Sequence, residues 1–166
     1  MTPTVPAPAN VARRAWVIRW LYAIVAAHLL GGLLLPWAAG LPLLAAYHAG
    51  VEASFWHGAA PAAARAQQIW WLSLFAPTLQ AAAIWMGALV RAGARSREPS
   101  AWVWLMVGLA VWAPQDIRTS LQAAAWPHVW ADCAAVLTML PPLAWLWWHD
   151  RTAVRQPGPA PARAVA

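Results

Sequence analysis

Four long apolar runs, each bounded by polar or charged residues, constrain this 166-residue chain more than any other feature. A hydrocarbon layer of about 30 Å takes about 20 helical residues to cross, and runs of that size cover 16–37, 69–90, 101–121 and 126–148. Lipid offers the backbone no hydrogen bonds, so a segment that spans it must be helical or part of a closed barrel. The expectation is an all-α, polytopic four-helix transmembrane bundle over 13–151, between flexible Pro- and Ala-rich tails at 1–12 and 152–166. The first run follows Arg13, Arg14 and Arg19 as a signal peptide would. It exceeds signal-peptide length and three further runs follow, so it reads as a retained helix.

Composition supports a lipid environment, with 62% hydrophobic residues against 10% charged. All eleven basic residues are arginine, and the abundance of Ala, Pro and Trp beside them points to a GC-rich bacterial genome and a cell inner membrane. The arginines stand in short clusters at the ends of apolar runs and form no basic stripe, which excludes nucleic-acid binding. Arg13 and Arg14, then Arg91, Arg95 and Arg97, then Arg151, Arg155 and Arg163 fall in alternate connections, which assigns both termini to the cytoplasm. The single cysteine, Cys133, sits in an apolar run and reads as a small packing residue.

The connection between the first two runs is too polar to span. It carries Leu43, Leu44, Tyr47, Val51, Phe55 and Trp56 at helical spacing, the pattern of an amphipathic helix on the outer surface. Many of the fifteen tryptophans lie at run ends, where an indole buries its ring and keeps its N–H near water. Trp85, Trp112 and Trp130 lie elsewhere and are candidates for lining a pocket.

The third run has twelve uninterrupted apolar residues, Ala101 to Trp112, so a span there must carry polar residues into its outer half. Gln115, Arg118 and Gln122 share one helical face, and Asp116 and Ser120 share the neighbouring one. The fourth run places His128 and Asp132 one turn apart. A charged aspartate in a membrane helix costs about 2.5–3.5 kcal/mol on insertion scales, so Asp132 needs a partner, a proton or water. Arg118 is the expected partner and His28 the second choice. His28 shares a face with Gly31 and Gly32, and Gln80 stands beside an Ala83/Gly87 stripe, both marks of a helix–helix contact.

These residues define an outward-facing, Trp-lined polar pocket built from His28, Gln80, Trp112, Gln115, Asp116, Arg118, Gln122, His128, Trp130 and Asp132. Its expected use is binding a lipophilic or amphipathic small molecule or a lipid headgroup. An acid–base enzyme on a lipophilic substrate would use His28 and Asp132, with Asp116 in reserve. In an accessory subunit the same polar segment would dock on a larger membrane complex, and a homo-oligomer is compatible with either use. Haem held between His28 and His128 would require a tilted helix, because the two differ in depth. A metal at His48 and Glu52, with His57 nearby, competes with simple exposure on an amphipathic helix, and no metal is expected. No phosphate loop, nucleophile elbow, zinc-protease motif or cysteine pair is present.

Overall fold

The computed structural model describes residues 8–56 and 59–154, and among these there is helix and no strand. The helices are α1 (Pro8–Ala38), a 3-10 turn at Pro42–Leu44, α2 (Ala45–Phe55), α3 (Ala62–Ser96), α4 (Pro99–Gln122) and α5 (Trp126–Val154). Three of them, α1, α3 and α5, are long and apolar enough to cross a membrane. Their apolar side chains largely face outward: Trp16, Leu34, Trp37, Ile84, Trp85 and Leu137 are all exposed. A water-soluble chain would hide such residues, and a lipid-facing one has no reason to.

The boundaries depart from the apolar runs in one direction. Helix α1 begins at Pro8, inside the segment expected to be a flexible tail, and α3 starts seven residues before Ile69 and continues through Arg91 and Arg95. Hydropathy marks where a helix can enter lipid. It does not mark where helical hydrogen bonding stops, which is decided by caps and breakers. At the α3–α4 junction those are Arg97 in the left-handed region (φ 52°), then Glu98, whose carboxylate accepts from Ser100 N, and Pro99 in the first turn. Residues 1–7 and 155–166, and with them most of both expected tails, lie outside the described residues.

Helix α1 packs along α3 and α4 along α5, with α3 against α4 joining the two pairs. The α1–α3 seam is set by small residues. A Cβ on Gly32 would come within 2.9 Å of the Ala76 carbonyl oxygen and 2.8 Å of Gln80 Cγ, and one on Gly87 within 3.2 Å of Val25. Gln80 Nε2 donates to Gly32 O at 2.9 Å, so its amide is spent on holding these helices together. The buried core of Val17, Leu21, Val90, Trp102, Leu105, Leu109, Met139, Leu143 and Leu146 fills one half of the molecule. That half carries the arginine clusters, and the other half is more open.

Candidate functional site

The two ends of the helix assembly treat their polar groups differently. At the arginine-rich end, Asp150 is fully buried. Arg14 grips it with two parallel bonds, Nε to Oδ1 and Nη2 to Oδ2, both 2.9 Å, while Nη2 also donates to Gly93 O at 3.0 Å. The indole N–H of Trp102 donates to Oδ2 at 3.0 Å. The Asp150 carboxylate thus joins α5 to α1 and α4, and the forked Arg14 guanidinium extends the cluster to α3. Around it Arg13 lies 4.7 Å above the Trp145 ring and Arg151 5.0 Å from that of Trp147.

The opposite end holds a cavity of about 930 Å³. Its wall comes from α2 (Tyr47, Val51, Phe55), Trp56, α3 (Gln67, Gln68, Trp71, Leu72, Phe75), α4 (Trp112, Asp116) and α5 (His128, Asp132), with Leu35 from α1. Helix α2 covers it because His48, although polar, is buried. Its ring nitrogens lie 2.9 Å from Gln68 Oε1 and 2.8 Å from the Ala39 carbonyl oxygen, tying α2 to α3 and to the end of α1. Beside it Arg65 clasps Glu52 with bonds of 2.7 and 3.0 Å, which hold the Glu52 carboxyl below its usual range. His48 and Glu52 are thus engaged by protein groups rather than set aside for a metal, and His57 lies outside the described residues.

Inside the cavity, Tyr47 Oη and His128 Nε2 are 3.1 Å apart. Burial pushes the Tyr47 phenol up, so it keeps the proton that it can donate to His128 Nε2. Asp132 is 5% exposed, and its Oδ2 is buried with no hydrogen-bond partner. Most buried polar atoms are bonded, so an orphan carboxylate oxygen against a cavity calls for a functional explanation.

Of the residues selected from the sequence, Trp112, Asp116, His128 and Asp132 come together on this cavity. The others go elsewhere. His28 Nδ1 bonds the Ile24 carbonyl of its own helix, and Gln80 belongs to the α1–α3 seam. The Gln115/Arg118/Gln122 face of α4 points outward, while the neighbouring face turns inward to bury Ser120 and present Asp116 to the cavity. Gln115 bonds its own helix at Val111 O. Arg118 therefore does not pair with Asp132; the ion pairs among the described residues are Arg14–Asp150 and Arg65–Glu52. Trp85 and Trp130 are 70% and 69% exposed and do not line this cavity. His28 and Asp132 are not joined, so the acid–base pair named from the sequence does not form.

The sequence reading missed Tyr47, Gln68, Trp71 and Phe75 on the cavity, and the Arg14–Asp150–Trp102 cluster entirely. Trp71 and Phe75 stand at i and i+4, a usable signal. Trp102 stood at a run end and looked like any other interfacial tryptophan. Comparison with protein-family models, with curated proteins and with solved structures finds no match for this chain.

Proposed function

We propose that this chain is a bacterial inner-membrane protein that crosses the bilayer four times and binds a lipophilic or amphipathic small molecule in its outward-facing cavity. The fourth crossing is α4. Its 24 residues give about 36 Å of helix, enough for a bilayer core, and its neighbours α3 and α5 are both long and apolar enough to span. Arg13, Arg91, Arg95 and Arg151 bias their end toward the cytoplasm, which turns the cavity outward and lays α2 along the outer interface.

The observation that carries the binding reading is the buried, unpartnered Oδ2 of Asp132 on the wall of a cavity of about 930 Å³. That volume is within the range of small-molecule sites, and the mixture of many apolar and aromatic walls with a few convergent polar groups is the usual make-up of one. The test is native mass spectrometry of the purified protein released from detergent, beside Asp132→Asn and Trp112→Ala. A defined small-molecule adduct on the wild type that is lost from both variants is expected. Identical adduct-free spectra for all three would remove the support for a ligand site.

A further inference from the structure

The titratable residues of the cavity run against the chain's net charge. The protein carries a formal +6, yet Asp116 and Asp132 line the cavity and none of the described arginines does. The two arginines nearest in sequence to its walls are otherwise placed, Arg118 on the outward face of α4 and Arg65 clasped to Glu52. The basic side chain inside, His128, is engaged by the Tyr47 hydroxyl. Asp132 is 95% buried by its 5% exposure, and one of its oxygens is unpaired. The same cavity is lined by Trp71, Phe75 and Trp112, with Tyr47 and Phe55 on the α2 side.

A phosphate or carboxylate head would be set against two acidic groups with no arginine to receive it, and an aliphatic head would leave Asp132 unpaired at full cost. A cation satisfies both parts of the wall, since carboxylates attract it and aromatic rings hold it by their quadrupoles. Resting on the binding reading above, we infer that the ligand's polar end is cationic, a protonated or quaternary amine seated between Asp116, Asp132 and the rings of Trp71, Phe75 and Trp112. The rest of the ligand is lipophilic, because Leu35, Leu44, Val51 and Leu72 make up most of the remaining wall, with Gln67 and Gln68 as its polar members. The net positive charge of the chain disfavours non-specific accumulation of such a ligand, so selectivity for it must come from the cavity.

The experiment compares three probes with one skeleton on the full chain in phosphatidylcholine nanodiscs: 4-phenylbutyltrimethylammonium, 4-phenylbutanol and 4-phenylbutanoate. Calorimetric titration should show the ammonium binding at least about tenfold tighter than the alcohol, and the carboxylate weakest. Asp132→Asn should weaken the ammonium most and bring ammonium and alcohol to within about threefold of each other. Asp116→Asn, at a half-exposed position, should narrow the ratio in the same direction and serves if Asp132→Asn does not fold. Equal binding of all three probes, or preference for the carboxylate, would overturn the cationic assignment and leave the pocket standing. If none binds, the adduct seen by native mass spectrometry decides. An adduct with a basic nitrogen supports the assignment, one without overturns it, and absence of any adduct overturns both the assignment and the binding reading.

Discussion

The Asp150 end and the Asp132 end each bury one aspartate on α5, eighteen residues apart, and nearly everything else about the two carboxylates differs. Asp150 receives two bonds from Arg14 and one from Trp102, a fully buried member of the core. Asp132 has an orphan oxygen and a cavity in front of it. A fully bonded buried carboxylate has its interactions used up in holding helices. An unbonded one keeps its capacity for something outside the chain, and that difference separates a structural clamp from a candidate site.

The comparison breaks first at the clamp. Asp150→Ala would strand the Arg14 guanidinium, which is 11% exposed, and should cost about 3–5 kcal/mol. The paired replacement Arg14→Met with Asp150→Leu removes both charges and should recover most of that loss. Thermal unfolding in detergent followed by tryptophan fluorescence reads both. A single variant as stable as the wild type would mean that the bonds around Asp150 do not hold the helices together.

A smaller loss is expected one layer away. Gly93 lies against Trp102 so closely that a Cβ would meet the indole ring at 2.4 Å, and that ring is fully buried on every side. Gly93→Ala should therefore cost about 1–3 kcal/mol through displacement of Trp102, and the double variant Gly93→Ala with Trp102→Phe should lose less than the sum of the two single losses. Additive losses would show that the glycine is not there to admit the indole.

How much of this was legible beforehand follows the same division. The apolar runs carried the helices, because crossing a bilayer depends on length and hydropathy alone, and three of the four stand in the structure as helices fit to cross. Polar residues on α4 and α5 pointed to a site, and four of ten candidates reached the cavity, because an i to i+4 relation fixes which side chains share a face. It does not fix which face turns inward. For α4 the Asp116/Ser120 side won over the Gln115/Arg118 side, since an extended arginine can reach outward and a buried serine needs little room. Tyr47 was read as a membrane-surface residue because only the His48 bonds to Gln68 and Ala39 reveal that α2 folds back over the cavity. The same tripeptide, Ala15-Trp16-Val17 and Ala101-Trp102-Val103, shows the same limit: Trp16 is 63% exposed and Trp102 is not exposed at all.

At the other end the expected sign changes. Asp132→Asn removes a carboxylate whose burial is uncompensated, so the variant should be at least as stable as the wild type, within about 1 kcal/mol or above it, while losing its ligand preference. Thermal unfolding of the ligand-free protein measures this. A loss approaching that of Asp150→Ala would class Asp132 as a second clamp and remove the contrast between the two ends.

The smallest effect concerns the cover of the cavity and has its own pH signature. The two bonds from Arg65 hold the Glu52 carboxyl below the usual 4.5 of a glutamate, and Glu52 returns to that value when α2 comes away. A group whose folded value is lowered contributes its stabilisation in full above the unfolded value, and that contribution disappears as pH falls through the folded one. Hydrogen exchange across 45–55, corrected for its intrinsic pH dependence, should therefore show constant protection from neutral pH down to about 4.5 and a decline only below it. Since the pair is partly exposed, the decline should be slight and should shrink further in high salt. Glu52→Gln should abolish the pH step and leave residual docking through His48. A loosening that begins above pH 5 in the wild type, or a step that persists in Glu52→Gln, would assign the latch to another group and leave the Arg65 pair as surface decoration.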